Sequence, residues 1–326
     1  MKVFITGATG FIGGHVAKKL LEQGYQVVAL VRNPHKAVEL DALGAQLVIG
    51  DIRDKESMRK GMQGADQVYH IAAWYKVGSK DRATAEAINI QGTRNVMELI
   101  KELEIPRCVY TSTIAVHSNT YGHVVDETYR FKGKHLSIYD ETKWKAHYNV
   151  VEPMVKEGLP VITVMPGVVY GPGDTSAIGE TFLSYLNGKL PIVPRGTAYN
   201  WSHVDDIAEG HLLAMEKGKT GECYHLTGPA YYMEPVLKMA EEITGVPAPK
   251  LIVHGGLLKL AIPFMAFLGL MVNLPPTFTA EGLRIVANVT YLADSGKARK
   301  ELGFTTRPLE EGLKETLVFL QQLRSS

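Results

Sequence analysis

Tyr139 and Lys143 are the pair in this 326-residue chain best suited to moving a proton. They stand four residues apart in Ser137-Ile138-Tyr139-Asp140-Glu141-Thr142-Lys143, so a helix there puts both on one face. A free phenol has a pKa near ~10, and only about one in a thousand is ionised at neutral pH. An ammonium beside it favours the phenolate and draws that pKa toward the working range. Such a tyrosine can protonate a carbonyl oxygen or deprotonate an alcohol. Tyrosine and lysine meet at this spacing by chance in many chains, so the hydroxyl cluster upstream matters. Thr111-Ser112-Thr113 ends a predicted strand over 107–112, and open α/β sheets bind ligands at the carboxyl ends of their strands. A hydroxyl from Ser112 or Thr113 can hold an oxygen on which charge develops, although these side chains also serve to satisfy local backbone groups.

That chemistry needs an electron carrier and a frame to hold it. Met1 to Gly14 reads as strand, phosphate-binding turn and helix: Met1-Lys2-Val3-Phe4-Ile5-Thr6 runs into Gly7, Gly10 and Gly13, with Thr9, Phe11 and Ile12 among them, and an amphipathic helix is predicted over Val16 to Gln23. A pyrophosphate can approach backbone N–H groups only where no side chain intervenes, and the helix that follows turns its positive end toward it. The context of a preceding strand and a following helix sets this apart from a glycine-rich loop. A dinucleotide bound here brings a positively charged nicotinamide when oxidised, which favours the phenolate of Tyr139 as Lys143 does.

Downstream, Gln26 to Val31 is a β-branched run suited to a strand buried on both faces. It ends in Arg32 where NAD-binding folds carry an acid for the ribose 2′-hydroxyl, and an arginine accommodates a 2′-phosphate. NADP(H) is therefore favoured, with His35 and Lys36 as helpers; NAD(H) and a merely solvated Arg32 are the alternative. Gln46 to Ile49 is a third strand, followed by Asp51, which can accept from an adenine amino group, although capping the next helix is an equally physical use for one of the two aspartates Asp51 and Asp54. Gln67 to Ile71 leads into the small residues Ala72 and Ala73, where backbone has to pass close to the cofactor. A long helix over Arg82 to Leu103 and strands over Arg107 to Ser112 and Val161 to Met165 complete an alternation that specifies an α/β fold, a Rossmann-type doubly wound parallel sheet. Past Pro166 the regularity falls. Residues 1–169 are read as the dinucleotide-binding domain and 170–326 mainly as a smaller C-terminal substrate-binding lobe, with 199–227 returning to the first.

With 45% hydrophobic and 21% charged residues the chain can bury a large core, and a net charge of +1 with scattered lysines and arginines offers no field for nucleic acid. Cys108 and Cys223 show neither disulfide nor metal-ligand spacing, and no metal is expected. The opening strand leaves no room for a leader, which sets a cytoplasmic expectation. Leu260 to Pro276 carries no charge; Lys259, Pro263 and the short length make 257–274 a buried or interfacial helix rather than a span, with peripheral membrane association left open. Trp74 and Trp201 are candidates to line a substrate pocket, with Tyr75, Tyr199, Tyr231 and Tyr232 behind them.

Taken together, Thr6 to Gly13, Gly50-Asp51-Ile52-Arg53-Asp54, His70 to Ala73, Asn89 to Asn95, Tyr139/Lys143, Pro166 to Asp174 and His203-Val204-Asp205-Asp206 resemble the extended short-chain dehydrogenases/reductases. That group includes dihydroflavonol reductase-like carbonyl reductases and NAD-dependent sugar epimerases and dehydratases. The resemblance implies Tyr139 as general acid/base, Lys143 on the nicotinamide ribose, and Thr113 on the carbonyl with Ser112 close in register. It implies Asn89 at a helix bend with a relay water, Asp51 and Ile52 at adenine, Ala72 against the cofactor, Pro166 and Val169 beside nicotinamide, and a structural His203-to-Asp206 element. It also allows a homodimer through helices flanking the sheet. Two departures discriminate between branches. Tyr199-Asn200-Trp201-Ser202 stands where nucleotide-sugar enzymes place a diphosphate-gripping arginine, with Arg195 nearby but off the motif, and Arg32 replaces the acid. The expected function is an NADP(H)-dependent oxidoreductase that reduces a small, largely apolar or aromatic aldehyde or ketone; the alternative is an NAD-dependent sugar-nucleotide epimerase or dehydratase.

Overall fold

The structure, a computed structural model, describes residues 1–272, 274 and 278–325. Its strands in chain order are β1 (Lys2–Thr6), β2 (Gln26–Val31), β3 (Gln46–Ile49), β4 (Gln67–His70), β5 (Cys108–Thr111), β6 (Val161–Pro166) and β7 (Val168–Tyr170). They continue as β8 (Val193–Arg195), β9 (Ala198–His203), β10 (Cys223–Leu226), β11 (Ala230–Tyr232), β12 (Ile252–His254) and β13 (Thr290–Tyr291). Seven of them form a parallel sheet in the order β10-β6-β5-β4-β1-β2-β3. The chain winds outward from β1 in both directions, so the strand order reverses between β1 and β4, and there the carboxyl ends open a crevice.

The alternation within each strand explains why helices cover both faces. Val3 and Ile5 enter the core beneath Phe11–Glu22, while Phe4 between them enters the opposite one, beneath Lys55–Met62. In β2, Val27, Ala29 and Val31 take the first side and Val28 and Leu30 the second. The helix Val204–Lys217 packs against Phe11–Glu22 and completes the first layer. His15 meets Asp205 at 2.7 Å across that contact, and Arg307 is held on Asp206 at 3.0 Å, so the His203-to-Asp206 segment ties the C-terminal region to the first helix.

Three elements differ from their sequence reading. The first helix begins at Phe11, five residues before the periodic pattern, because Gly13 and Gly14 lie in its opening turns and hide the apolar face. The helix expected over Arg82 to Leu103 is interrupted by a π-helical turn at Ala87–Gly92, and the helix carrying Tyr139 and Lys143 has a second one at Ala146–Val151. Finally, the segment from Tyr199 divides: β9 is the middle of a second sheet with β7, β11 and β13, and only the helix after it and β10 join the main sheet.

The apolar stretch forms a helix, Gly255–Met271, with Pro263 inside it. Among the described residues no helix is long and apolar enough to cross a membrane. Asn273, Pro275 and Pro276 of that stretch lie outside the described residues.

Candidate active site

A cavity of about 640 Å³ lies over the carboxyl ends of β1 to β6. The residues expected to hold the cofactor line it, the helper His35 excepted: Gly7, Thr9, Gly10, Phe11, Ile12 and Gly13 from the first turn, Arg32 after β2, Asp51 and Ile52 after β3, Ala72 and Ala73 after β4, Lys143, and Pro166 and Val169 after β6. The turn fits a dinucleotide by its own geometry. Gly7 has φ +79°, and a Cβ there would sit 2.6 Å from the Ala72 nitrogen, so only glycine lets the two backbones pass. The helix starts at Gly10 with no side-chain cap, which leaves its first N–H groups turned to the cavity as a ready anion site. Lys36 lines the same end as Arg32, and Arg32 makes no ion pair among the described residues. Asp51 is not the helix cap: Asp54 accepts from Glu56 and Ser57, while Asp51 holds Arg53 through both oxygens, and the guanidinium keeps its carboxyl below the usual range.

At the other end Tyr139, Lys143, Ser112 and Thr113 line the cavity together. Ser137 caps their helix, accepting from the Asp140 N–H at 3.0 Å. The Lys143 ammonium is 2% exposed; it donates to the Thr111 carbonyl at 2.8 Å and the Tyr110 hydroxyl at 3.3 Å. Burial pushes its pKa down to about 7. Folding the cofactor-free protein therefore releases a proton from Lys143 between pH ~7 and ~10.5, and its contribution to stability rises with pH across that window. The melting temperature of the wild type, measured against Lys143→Met, is expected to climb between pH ~7 and ~10. A flat difference would show that the ammonium is not desolvated.

Tyr139 stands edge-on to Tyr75, with ring centroids 4.8 Å apart. The expectation that Lys143 draws the phenol down is not met in this arrangement. Burial pushes its pKa up, the neighbouring Tyr75 and Asp140 push the same way, and a hydrogen bond with Thr113 opposes them. Thr113 and Ser112 are also told apart: Thr113 meets the phenol, whereas the Ser112 hydroxyl is 2.8 Å from Nδ1 of the buried His147.

Trp201, Trp74 and Asn89 stand outside the cavity lining, as do His35, Tyr231 and Tyr232. Trp201 is 1% exposed in the core among Tyr170, Phe182 and Tyr199, its indole N–H donating to the Tyr231 carbonyl at 3.1 Å; Tyr199, two residues before it on β9, lines the cavity in its place. Trp74 is buried as well, and its backbone is what is held. Asn89, in the first π turn, accepts from the Trp74 N–H at 2.7 Å and donates to the Trp74 carbonyl and to Thr142 Oγ1. It fastens the loop after β4 to the Tyr139 helix, and its amide hydrogens are both engaged.

The sequence reading missed the far wall. Asp140, 3% exposed, accepts from Ser137 Oγ at 2.7 Å and from the Tyr291 hydroxyl at 3.0 Å, and burial raises its pKa to about 7. The Ser-x-x-Asp spacing of Ser137 and Asp140 was a readable capping signal; Tyr291, 151 residues on, was not. Met233 and Ile285 also line this wall.

The profile of the NAD dependent epimerase/dehydratase family matches residues 3–227. The chain is 33% identical to a putative dihydroflavonol 4-reductase of Synechocystis sp., over 98% of this chain and 94% of that one. It is 30% identical to the 4-hydroxy-2-methyl-3-oxo-4-farnesyl-3,4-dihydroquinoline-1-oxide ketoreductase of Stigmatella aurantiaca, over 94% of this chain and 92% of that one. The crystal structure of gox2253 superimposes with a TM-score of 0.85 at 31% identity, covering 98% of each chain. The protein thus belongs to the NAD dependent epimerase/dehydratase family and is an NAD(P)-dependent enzyme of the extended short-chain dehydrogenase/reductase type.

Proposed function

We propose that the protein is an NADP(H)-dependent reductase of aldehydes or ketones with a largely apolar or aromatic body. The observation that carries this reading is where the cations lie. Among the described residues lining the cavity they are Arg32 and Lys36 at the end of β2, and Lys143 under Tyr139. The far wall offers Tyr75, Ile178, Tyr199, Met233 and Ile285 instead, with nothing to grip a diphosphate. The Stigmatella relative, named as the ketoreductase of a farnesyl-bearing quinoline oxide, is consistent with such a wall.

In this reading the Gly7-to-Gly13 turn holds the pyrophosphate, Asp51 and Ile52 border adenine, and Arg32 with Lys36 takes the 2′-phosphate. Lys143 holds the nicotinamide ribose, with Ala72, Ala73, Pro166 and Val169 against the ring. NADPH, when bound, supplies the hydride. Thr113 orients the carbonyl oxygen, and Tyr139 protonates it as it becomes an alkoxide. The neutral phenol favoured by burial is the form that can donate, and an alkoxide is the stronger base.

Arg32→Glu tests the cofactor assignment. Losing a charge-assisted contact of ~1.5–3 kcal/mol should weaken NADPH binding about 10- to 100-fold in a fluorescence titration and leave NADH little changed. An unaltered NADPH/NADH ratio rejects the role. The family name also covers epimerases; purified protein carrying NAD that dialysis does not remove, with no net NADPH consumption, would favour that reading.

A further inference from the structure

The helix Gly255–Met271 has one packed face and one bare one. Leu258, Ala261, Ile262 and Met265 pack on Leu283 of the helix Ala280–Val286 and on Ala287, which ends it. On the other side Leu257, Leu260, Phe264, Phe267, Leu270 and Met271 are 61–77% exposed. Their spacing sets them along a single stripe about 21 Å long. Leu251 before the helix and Phe278 after it are exposed as well. Single exposed apolar residues are ordinary, but a contiguous stripe of this kind marks a contact.

Charge decides what that contact is. Between Glu242 and Glu281 the chain has no acidic residue, while Lys250, His254 and Lys259 lie in it. Lys80 joins them at the far end of the helix, its Nζ donating to the Gly269 carbonyl at 2.8 Å. Lys80, Lys250 and Lys259 are exposed, and none has an ion-pair partner among the described residues. A second copy docking through the same face would bring lysine toward lysine with no carboxylate in residues 243–280 to receive it, since a two-fold interface sets a patch on itself. A layer of anionic headgroups over acyl chains complements both features: apolar side chains enter the boundary and lysines reach phosphate.

We propose that this face docks the protein on the surface of an anionic lipid bilayer, lying in the interface without crossing it. The helix beneath it explains why the seat is there. Gly282, Ile285 and Val286 of Ala280–Val286 line the cavity, so one helix separates the catalytic cleft from the lipid. On the reductase reading above, a lipophilic carbonyl compound then partitions from the acyl layer into the cavity at short range. Docking itself stands apart from that reading and is measured without turnover.

Full-length protein is sedimented with vesicles of phosphatidylcholine and phosphatidylglycerol in equal parts. The wild type is expected in the pellet, and Phe264→Asp/Phe267→Asp at least ~10-fold less so. That variant should keep wild-type NADPH affinity and melting temperature, because neither side chain is packed. Lys250→Glu/Lys259→Glu should lose binding that raised salt also weakens in the wild type. The wild type remaining in the supernatant, or the phenylalanine variant sedimenting as well as it does, overturns the proposal. So does a dimer that those substitutions dissociate when no vesicle binding is found, which assigns the face to a second copy.

Discussion

Tyr139→Phe is expected to lower kcat about 100- to 10,000-fold, the usual contribution of a positioned general acid, while leaving NADPH affinity within about twofold. The substitution removes one oxygen and keeps the ring, so the edge-on contact with Tyr75 at 4.8 Å and the packing around it survive. In the proposed binding mode the cofactor is held by the glycine turn, Arg32 and Lys143, which line the cavity without depending on the phenol. What disappears is the proton donor at the spot where Thr113 meets the phenol. The alkoxide then has to take its proton from water, and the barrier rises by about 3–5 kcal/mol. Thr113→Val provides the companion measurement. It removes the hydrogen bond that opposes the burial-driven rise in the phenol's pKa and should cost less than the loss of the donor itself. Single-turnover kinetics with NADPH and a panel of aryl ketones checks both. More than about a tenth of wild-type turnover in Tyr139→Phe would remove Tyr139 from the mechanism.

How much of this site could be read beforehand depended on the range of the interaction. The glycine turn was legible because its constraint is local: Gly7, Gly10 and Gly13 fall inside seven residues, and each is needed by backbone a few positions away or on the adjoining strand. The Tyr139/Lys143 pair was legible because helical periodicity alone puts them on one face, and Ser137 marks where that helix starts. Trp201 failed for the opposite reason. Its residue type suits a ligand wall, but which side chain of β9 reaches the cavity, Tyr199 rather than Trp201, depends on β7, β11 and β13, which reach it from distant parts of the chain. The same distance hid the Asp140–Tyr291 hydrogen bond. The π turns at Ala87–Gly92 and Ala146–Val151 change backbone pairing without changing composition, so Asn89 could be identified while its partners Trp74 and Thr142 could not. Electrostatics was hardest to read. The charge of Lys143 was visible, but its direction of action was not, because burial lowers its own pKa and raises that of Tyr139.

Gly13→Ala is expected to destabilise the protein by about 2–4 kcal/mol, lowering the melting temperature by several degrees, and to weaken NADPH binding at least ~10-fold. Alanine suits helix interiors better than glycine, so helix propensity alone predicts a gain of up to ~1 kcal/mol. Steric contact reverses the sign. A Cβ on Gly13 would collide with the Gly7 carbonyl, 2.6 Å from its carbon and 3.1 Å from the Ala8 nitrogen, and these are backbone atoms with no rotamer to escape through. Relief requires the helix Phe11–Glu22 to withdraw from β1, which loosens Val16, Ala17 and Leu20 in the core and carries the N–H groups of the anion site away from the crevice. Gly14→Ala is the control, one residue along the same helix. Its Cβ would lie 3.4 Å from the Ala8 carbonyl oxygen, an ordinary contact, so stability should stay level or rise slightly. Thermal denaturation of the two variants, paired with NADPH fluorescence titration, separates close approach from helix propensity. If Gly13→Ala melts with Gly14→Ala, the third glycine of the turn is there for conformational freedom, and the tight docking of helix on strand is not what holds the phosphate site in place.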